Sequence, residues 1–158
     1  MKAAIFMGSR SDTGIMKKAA DVLRDFGIAF SSRVVSAHRS PELLDKALTE
    51  CEQEGTEVII AGAGLAAHLP GVIASKTLIP VIGVPIASGS LNGLDALFSI
   101  VQMPKSIPVA AVGVDNAANA AYLAAAILAI KYPELQEKLE SARTQTKTDL
   151  AENINIDL

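Results

Sequence analysis

Two rhythms of apolar residues alternate through this chain. Short, nearly uninterrupted runs include Ala3-Ala4-Ile5-Phe6-Met7, Glu57-Val58-Ile59-Ile60-Ala61, Pro80-Val81-Ile82-Gly83-Val84 and Ile107 to Gly113. Strands covered on both faces read this way, whereas half-exposed strands alternate. Phe30 to Val35 gives a further, more polar strand. Between the runs the spacing becomes helical. Ile15, Ala19, Val22 and Phe26 share one face, and Gly27 ends that helix. Pro41 to Gly55 carries the stripe Leu44, Ala47, Leu48, Cys51. Residues 62–71 form a loop into a helix ending near Thr77, and Leu94 to Val101 is a short helix. Ala117 to Ile130 is a helix, and Pro133 opens another, to about residue 151, with Leu135, Leu139, Ala142 and Leu150 on one side.

Strand and helix thus alternate five times with short connections. The pattern predicts one α/β domain over residues 1–158, a three-layer α/β/α sandwich with a five-stranded parallel sheet and right-handed crossovers. A flavodoxin-like strand order, 2-1-3-4-5, is expected. The tail, Asn153 to Leu158, is expected to fray. From Ala117 to Ile130 only Asn119 is polar. A helix apolar all round must be covered on every side, so a closed homo-oligomer is predicted, with the two C-terminal helices contributing.

Composition narrows the function. A chain of 158 residues buries ~70% of its unfolded surface and needs no disulfide or metal staple. The net charge of -3 offers no basic field for nucleic acid or anionic lipid, so an anionic ligand must be held by local donors. Cys51 is the lone cysteine, which excludes an intrachain disulfide and suits a reducing compartment such as the cytoplasm. Its place on a helix stripe predicts a packed thiol. The first residues are too short for a leader's apolar segment, and the longest apolar run falls short of the ~20 residues that span a bilayer. No secretion signal or membrane span is therefore expected.

In a parallel sheet of this kind ligands bind beyond the carboxyl ends of the strands. Four loops leave those ends. Ser36-Ala37-His38-Arg39-Ser40-Pro41 places a proton carrier beside an anion holder, ahead of a helix start where Ser40 can cap and Pro41 suits the first position. Gly8-Ser9-Arg10-Ser11-Asp12 has the makings of an anion cradle, with a glycine, two hydroxyls and a following helix N-terminus; Asp12 can alternatively cap that helix. It matches neither the dinucleotide fingerprint nor the P-loop. Gly62-Ala63-Gly64-Leu65-Ala66-Ala67-His68 offers small residues and bare amides around the second histidine, with room for a flat ring or a carboxylate. Ser88 to Gly93 is the fourth. Two histidines on separate loops fall short of a zinc set, so no metal is expected. No G-x-S-x-G elbow occurs.

Four segments in order carry a more specific signal: Met7-Gly-Ser-Arg-Ser-Asp12, Val34-Val-Ser-Ala-His-Arg-Ser-Pro41, Ile60-Ala-Gly-Ala-Gly-Leu-Ala-Ala-His-Leu-Pro-Gly71 and Leu94-Asp-Ala-Leu-Phe-Ser-Ile-Val-Gln-Met-Pro104. Together they resemble the 5-(carboxyamino)imidazole ribonucleotide mutases of purine biosynthesis, over residues 3–150. The resemblance implies a flavodoxin-like domain assembled as an octamer. It also implies a carboxyl transfer from the exocyclic nitrogen to C4 of an aminoimidazole ribonucleotide, with no metal, nucleotide or organic cofactor. Carried over, Ser9 and Asp12 bind substrate in the first loop, Ser36 and Arg39 hold the phosphate side, and His38 carries the proton. Gly64, His68 and Leu69 line the pocket for the ring and the migrating carboxylate. Two residues depart from the pattern: Leu65 stands where Gly is more usual, adding bulk beside the pocket, and Ser40 where Thr is.

Histidine suits such a reaction, because a carbamate loses carbon dioxide once its nitrogen is protonated, and C4 must later lose a proton. Direct carboxylation of aminoimidazole ribonucleotide is the nearest alternative. The Ala-Ala-His-Leu run favours the mutase, by resemblance. A receiver-type phosphoacceptor would need acidic residues where Gly-Ser-Arg-Ser-Asp and Gly-Ala-Gly-Leu stand. A flavin carrier would want stacking aromatics, yet aromatics make up 4% and tryptophan is absent.

Overall fold

A computed structural model describes residues 1–154. β1 (Lys2–Met7), β2 (Ala29–Val34), β3 (Val58–Gly64), β4 (Val81–Ile86) and β5 (Ala110–Ala111) form one sheet. Its order is β2-β1-β3-β4-β5 and every pairing is parallel, as the strand-helix alternation predicts. The connections carry α1 (Thr13–Asp25), α2 (Pro41–Gln53), α3 (Leu69–Ala74) and α4 (Leu94–Val101); α5 (Ala117–Ala129) and α6 (Pro133–Glu152) follow.

The pleat sorts each strand's residues between two cores. Ala3, Ile5 and Met7 of β1 join Val58 and Ile60 of β3 on the face that α1 and α5 cover. Ala4 and Phe6 join Ile59, Ala61 and Ala63 on the face that α2, α3 and α4 cover. Continuous apolar runs are the consequence of helices on both faces. Cys51 is fully buried in the second core, and burial pushes its thiol above the ordinary range.

Several boundaries differ from the sequence reading. β3 does not stop at Ala61: Gly62, Ala63 and Gly64 continue the ladder opposite Val84, Pro85 and Ile86. These glycines serve close packing rather than a loop. A Cβ on Gly62 would collide with the Met16 sulfur, and one on Gly64 would lie 3.0 Å from the Ile86 carbonyl oxygen. β4 correspondingly runs to Ile86. The Pro85 carbonyl accepts from Asp115 N at 2.9 Å. A strand residue's N and O point to one side, so the donor that Pro85 lacks faces the flank where β5 has already ended.

β5 keeps only two residues of the expected Ile107–Gly113. It is the edge strand, Pro108 cannot donate, and Ser106 before it turns through a left-handed φ of 74°. α3 ends at Ala74 rather than near Thr77. On α1 the buried face is Met16, Ala19, Ala20 and Leu23, with Ile15 and Val22 only half-buried.

α5 is covered in part within the chain, by the sheet, α1 and α6, while Tyr122 and, just past the helix, Ile130 stay exposed. Leu135 of α6 is buried and Leu139 and Ala142 pack against the same core, whereas Leu150 is exposed. Exposed apolar side chains also gather on α4, at Leu94, Phe98 and Val101. Asn153 and Ile154 are exposed; the rest of the tail expected to fray lies outside the described residues. No helix among the described residues is long and apolar enough to cross a membrane.

Candidate active site

The first three strands end side by side, so their loops open on one edge. The loops after β1, β2, β3 and β4 meet around an open cleft of about 450 Å³. Its walls include Gly8, Ser9 and Asp12 from the first loop, Ser36, His38 and Arg39 from the second, Gly64 and Leu65 from the third, and Ser88 from the fourth. A larger depression of about 760 Å³ lies against Thr77 to Val81 and Ser106 to Pro108, at the opposite end of the sheet. Its two charged side chains are already engaged: Lys76 with Asp45, and Glu52 with the Thr77 hydroxyl. The smaller cleft is therefore the candidate site.

The first loop is fixed by a reciprocal cap. Ser9 begins a 3-10 turn (Arg10–Asp12), its hydroxyl oxygen accepting from Ser11 N at 3.3 Å. Asp12 Oδ2 accepts from Ser9 N at 3.0 Å, and Oδ1 from the Ser11 hydroxyl at 3.0 Å. This capping box satisfies donors that the turn would otherwise leave open. Asp12 precedes α1 but makes no side-chain bond to it; it caps the turn before the helix. It is 8% exposed, one of two buried polar or charged side chains among the described residues.

The second loop is built around Ser36. Its hydroxyl oxygen accepts from Arg39 N at 3.3 Å and from Arg39 Nε at 3.2 Å. Two acceptor positions are thereby used, and the Ser36 O–H remains a donor for a ligand. Arg39 Nη2 reaches across to the Gly8 carbonyl at 3.4 Å, tying the second loop to the first. The guanidinium keeps further N–H groups for an anion. Ser40 occupies the N-cap position of α2, yet its hydroxyl makes no capping bond, and Pro41 alone sets the first turn.

The third loop is compact. Ala67 N donates to the Leu65 carbonyl at 2.8 Å and His68 N to the Ala66 carbonyl at 2.7 Å, two successive three-residue turns. Leu65 adopts a left-handed φ of 54° and lines the cleft, half exposed. Its Cδ2 lies against Gly89, where an added Cβ would come within 2.8 Å. The leucine therefore packs the third loop onto the fourth.

These turns bring His68 to His38. His38 Nε2 lies 2.6 Å from His68 Nδ1, with ring planes at 85° and centroids 4.8 Å apart. The sequence places the histidines on separate loops and gives no sign of this contact. His38 lines the cleft; His68 and Leu69 do not. Leu69 is buried in the core beneath α3, and His68 adjoins the cleft through His38. Among the described residues no cluster of three or more histidine, cysteine, aspartate or glutamate side chains could hold a metal ion.

The arrangement unites local anion donors with an imidazole pair in one cleft, which suits proton transfer on an anionic substrate. Known proteins agree with the fold and extend the reading. The AIR carboxylase family matches residues 2–149. N5-carboxyaminoimidazole ribonucleotide mutase of Pyrococcus abyssi is 60% identical over 146 residues, covering 92% of this chain and 84% of the relative. The protein of that name from Vibrio cholerae is 50% identical over 157 residues, covering 98% of each. The crystal structure of Treponema denticola PurE superposes with a TM-score of 0.88 at 31% identity, covering 96% of this chain and 95% of that one. Matched along nearly its whole length in both sequence and fold, the chain belongs to the AIR carboxylase family.

Proposed function

We propose that this chain is an N5-carboxyaminoimidazole ribonucleotide mutase, an isomerase of de novo purine biosynthesis. It converts 5-(carboxyamino)imidazole ribonucleotide into 4-carboxy-5-aminoimidazole ribonucleotide. Relatives bearing the mutase name at 50–60% identity support the reaction class. The observation that carries the mechanism is His38, the titratable ring on the cleft wall, next to the Ser36–Arg39 donor set.

The substrate's phosphate sits against Arg39 and the Ser36 hydroxyl, with Ser9 and Asp12 on the sugar side; the first loop's amides at Gly8, Ser9, Ser11 and Asp12 are already bonded within the protein. Gly64, on the cleft wall, lies beside the flat ring. His38 gives a proton to the carbamate nitrogen, the C–N bond breaks, and carbon dioxide is released beside C4. C4 attacks the carbon dioxide, and His38 takes the C4 proton to restore aromaticity. One proton leaves the imidazole and one returns, so the cycle closes without a cofactor.

The family description, AIR carboxylase, keeps a second reading in view: direct use of carbon dioxide. Purified protein given each substrate, with and without bicarbonate, separates the two. Turnover of the carbamate without bicarbonate is expected; turnover of aminoimidazole ribonucleotide alone, dependent on bicarbonate, would reverse the assignment. His38→Asn should retain fold and substrate binding and lose about 10²–10⁴-fold in turnover. Retention of more than about a tenth of turnover would move the proton to another group.

A homo-oligomer, an octamer by resemblance, accompanies this reading. The exposed Leu94, Phe98 and Val101 face of α4 is an apolar surface such an assembly would cover, along with Tyr122 of α5 and Ile130 just past it. A monomeric mass by light scattering at micromolar concentration would end that part of the proposal.

A further inference from the structure

The His38–His68 contact fixes more than a position. A centroid separation of 4.8 Å for a 2.6 Å N···N distance leaves one ring radius on each side. The rings therefore meet end-on, nitrogen to nitrogen, rather than stacking. A contact of that length carries one proton: two N–H groups would repel, and two lone pairs would have nothing to share. His38 Nδ1 and His68 Nε2 have no other partner among the described residues.

We infer that His68 is a positioning residue whose Nδ1 accepts the His38 Nε2–H, so that His38 both gives and takes its proton at Nδ1. The inference rests on His38 being the proton carrier. The reaction makes opposite demands on one ring: acid for the carbamate nitrogen, then base for C4. When the imidazolium releases its Nδ1 proton, the neutral ring left behind keeps Nε2–H, held by His68, and has Nδ1 bare. The nitrogen that just donated is the nitrogen ready to accept. Without the His68 acceptor, the neutral ring could carry its proton on either nitrogen, and the form protonated at Nδ1 cannot take the C4 proton there. This is the logic by which an acceptor behind a catalytic histidine fixes its tautomer.

Placement supports the division of labour. His38 is on the cleft wall while His68 is not. His68 is anchored independently, by the two tight turns after Leu65 and by its place at the N-cap of α3, where its carbonyl accepts from Val72 N at 2.9 Å. Its side chain makes no capping bond to the helix and is free to serve His38.

The chain has two histidines, so untagged protein labelled with 15N-histidine shows only two imidazoles, assigned by substitution. At about pH 8, above the ordinary imidazole range, His38 in the parent should be protonated at Nε2 and bare at Nδ1. His68→Phe keeps a ring but no acceptor. It should populate both His38 tautomers and lower kcat by about 10- to 100-fold, with KM within about threefold. His68→Gln restores an acceptor oxygen and should recover turnover to within about tenfold of the parent. A raised KM with unchanged kcat would show that His68 touches substrate, and equal loss in both variants would remove the acceptor role. Mixed tautomers in an active parent would overturn the inference alone. A parent with a single tautomer and no mutase activity would overturn the proposed reaction and leave the pair intact. The parent spectrum decides the tautomer even where a variant fails to fold.

Discussion

Asp12 can be made to show whether the first loop is only a scaffold. The residue is nearly buried, and its two oxygens accept from Ser9 N and from the Ser11 hydroxyl, each at 3.0 Å. Bonds to a charged acceptor contribute ~1.5–3 kcal/mol each when nothing replaces them. Here water can partly replace them, because Ser11 is exposed and Ser9 half-exposed. Asp12→Ala should therefore cost about 2–3 kcal/mol rather than the full sum. For a chain of this length that is a fall in Tm of roughly 4–12 °C. Asp12→Asn is the discriminating variant. Its amide oxygen can accept from Ser9 N, and its NH₂ can donate to a rotated Ser11 hydroxyl, so the expected cost is about 1 kcal/mol.

Substrate affinity separates a second role from the cap. Oδ1 spends one acceptor position on Ser11, and Asp12 lines the cleft, so a further position is open to a substrate hydroxyl. The amide of Asn is a weaker acceptor than a carboxylate, and affinity should fall about tenfold while the fold stands. Thermal unfolding by circular dichroism at fixed protein concentration, with titration calorimetry on the same samples, reads both quantities. If Asp12→Asn loses as much stability as Asp12→Ala, the bond-by-bond account of the capping box is wrong. If it binds substrate as tightly as the parent, Asp12 is a cap alone.

Arg39→Ala should weaken substrate binding by roughly tenfold or more, the worth of one charge-assisted bond, with Tm within about 2 °C of the parent because the side chain is exposed; calorimetry with unchanged affinity would place the phosphate elsewhere. Glu57 accepts from Lys131 Nζ at 2.6 Å and from the Tyr132 hydroxyl at 3.0 Å, pinning β3 to the start of α6. The Lys131 bond, against the opposing effect of burial and with help from Tyr132, holds its carboxyl below the usual range. A lowered folded value means stability that is present above the unfolded glutamate range, about 4.3, and is lost as pH falls through the folded value. Glu57→Gln should thus cost about 1–2 kcal/mol near neutral pH, a gap that closes in acid; denaturant unfolding across pH would expose a constant gap as a packing effect instead.

The sheet was legible in the sequence because each central strand is covered twice, leaving runs such as Val58 to Ala61 that no half-exposed strand would show. Its ends were not. Gly62 and Gly64 carry the composition of a loop, yet they are strand residues kept small by Met16 and by the Ile86 carbonyl, neighbours that only the fold supplies. β5 failed in the other direction. Its apolar residues look like a strand, but an edge with Pro108 and a left-handed Ser106 sustains only two ladder positions.

The candidate site divides along the same line. Its anion side is made chiefly of bonds within single loops, Ser9 to Asp12 and Ser36 to Arg39, each spanning three residues, with Arg39 Nη2 to the Gly8 carbonyl joining the two loops. A reader of the sequence can see such partners together, and the spacing alone suggests the chemistry. Its proton side depends on a bond across thirty residues, His38 to His68. That bond needs β1 and β3 in register and two tight turns beginning at a left-handed Leu65. Leucine in that conformation costs roughly 1–2 kcal/mol, and nothing local repays it. Its side chain packs over Gly89, which holds the third loop against the fourth. The residue that looked like unwanted bulk in the pocket starts the turns that carry His68 to His38. Strain of this kind persists only where the surrounding structure over-determines it, and here it lies three residues from the imidazole pair it helps to place.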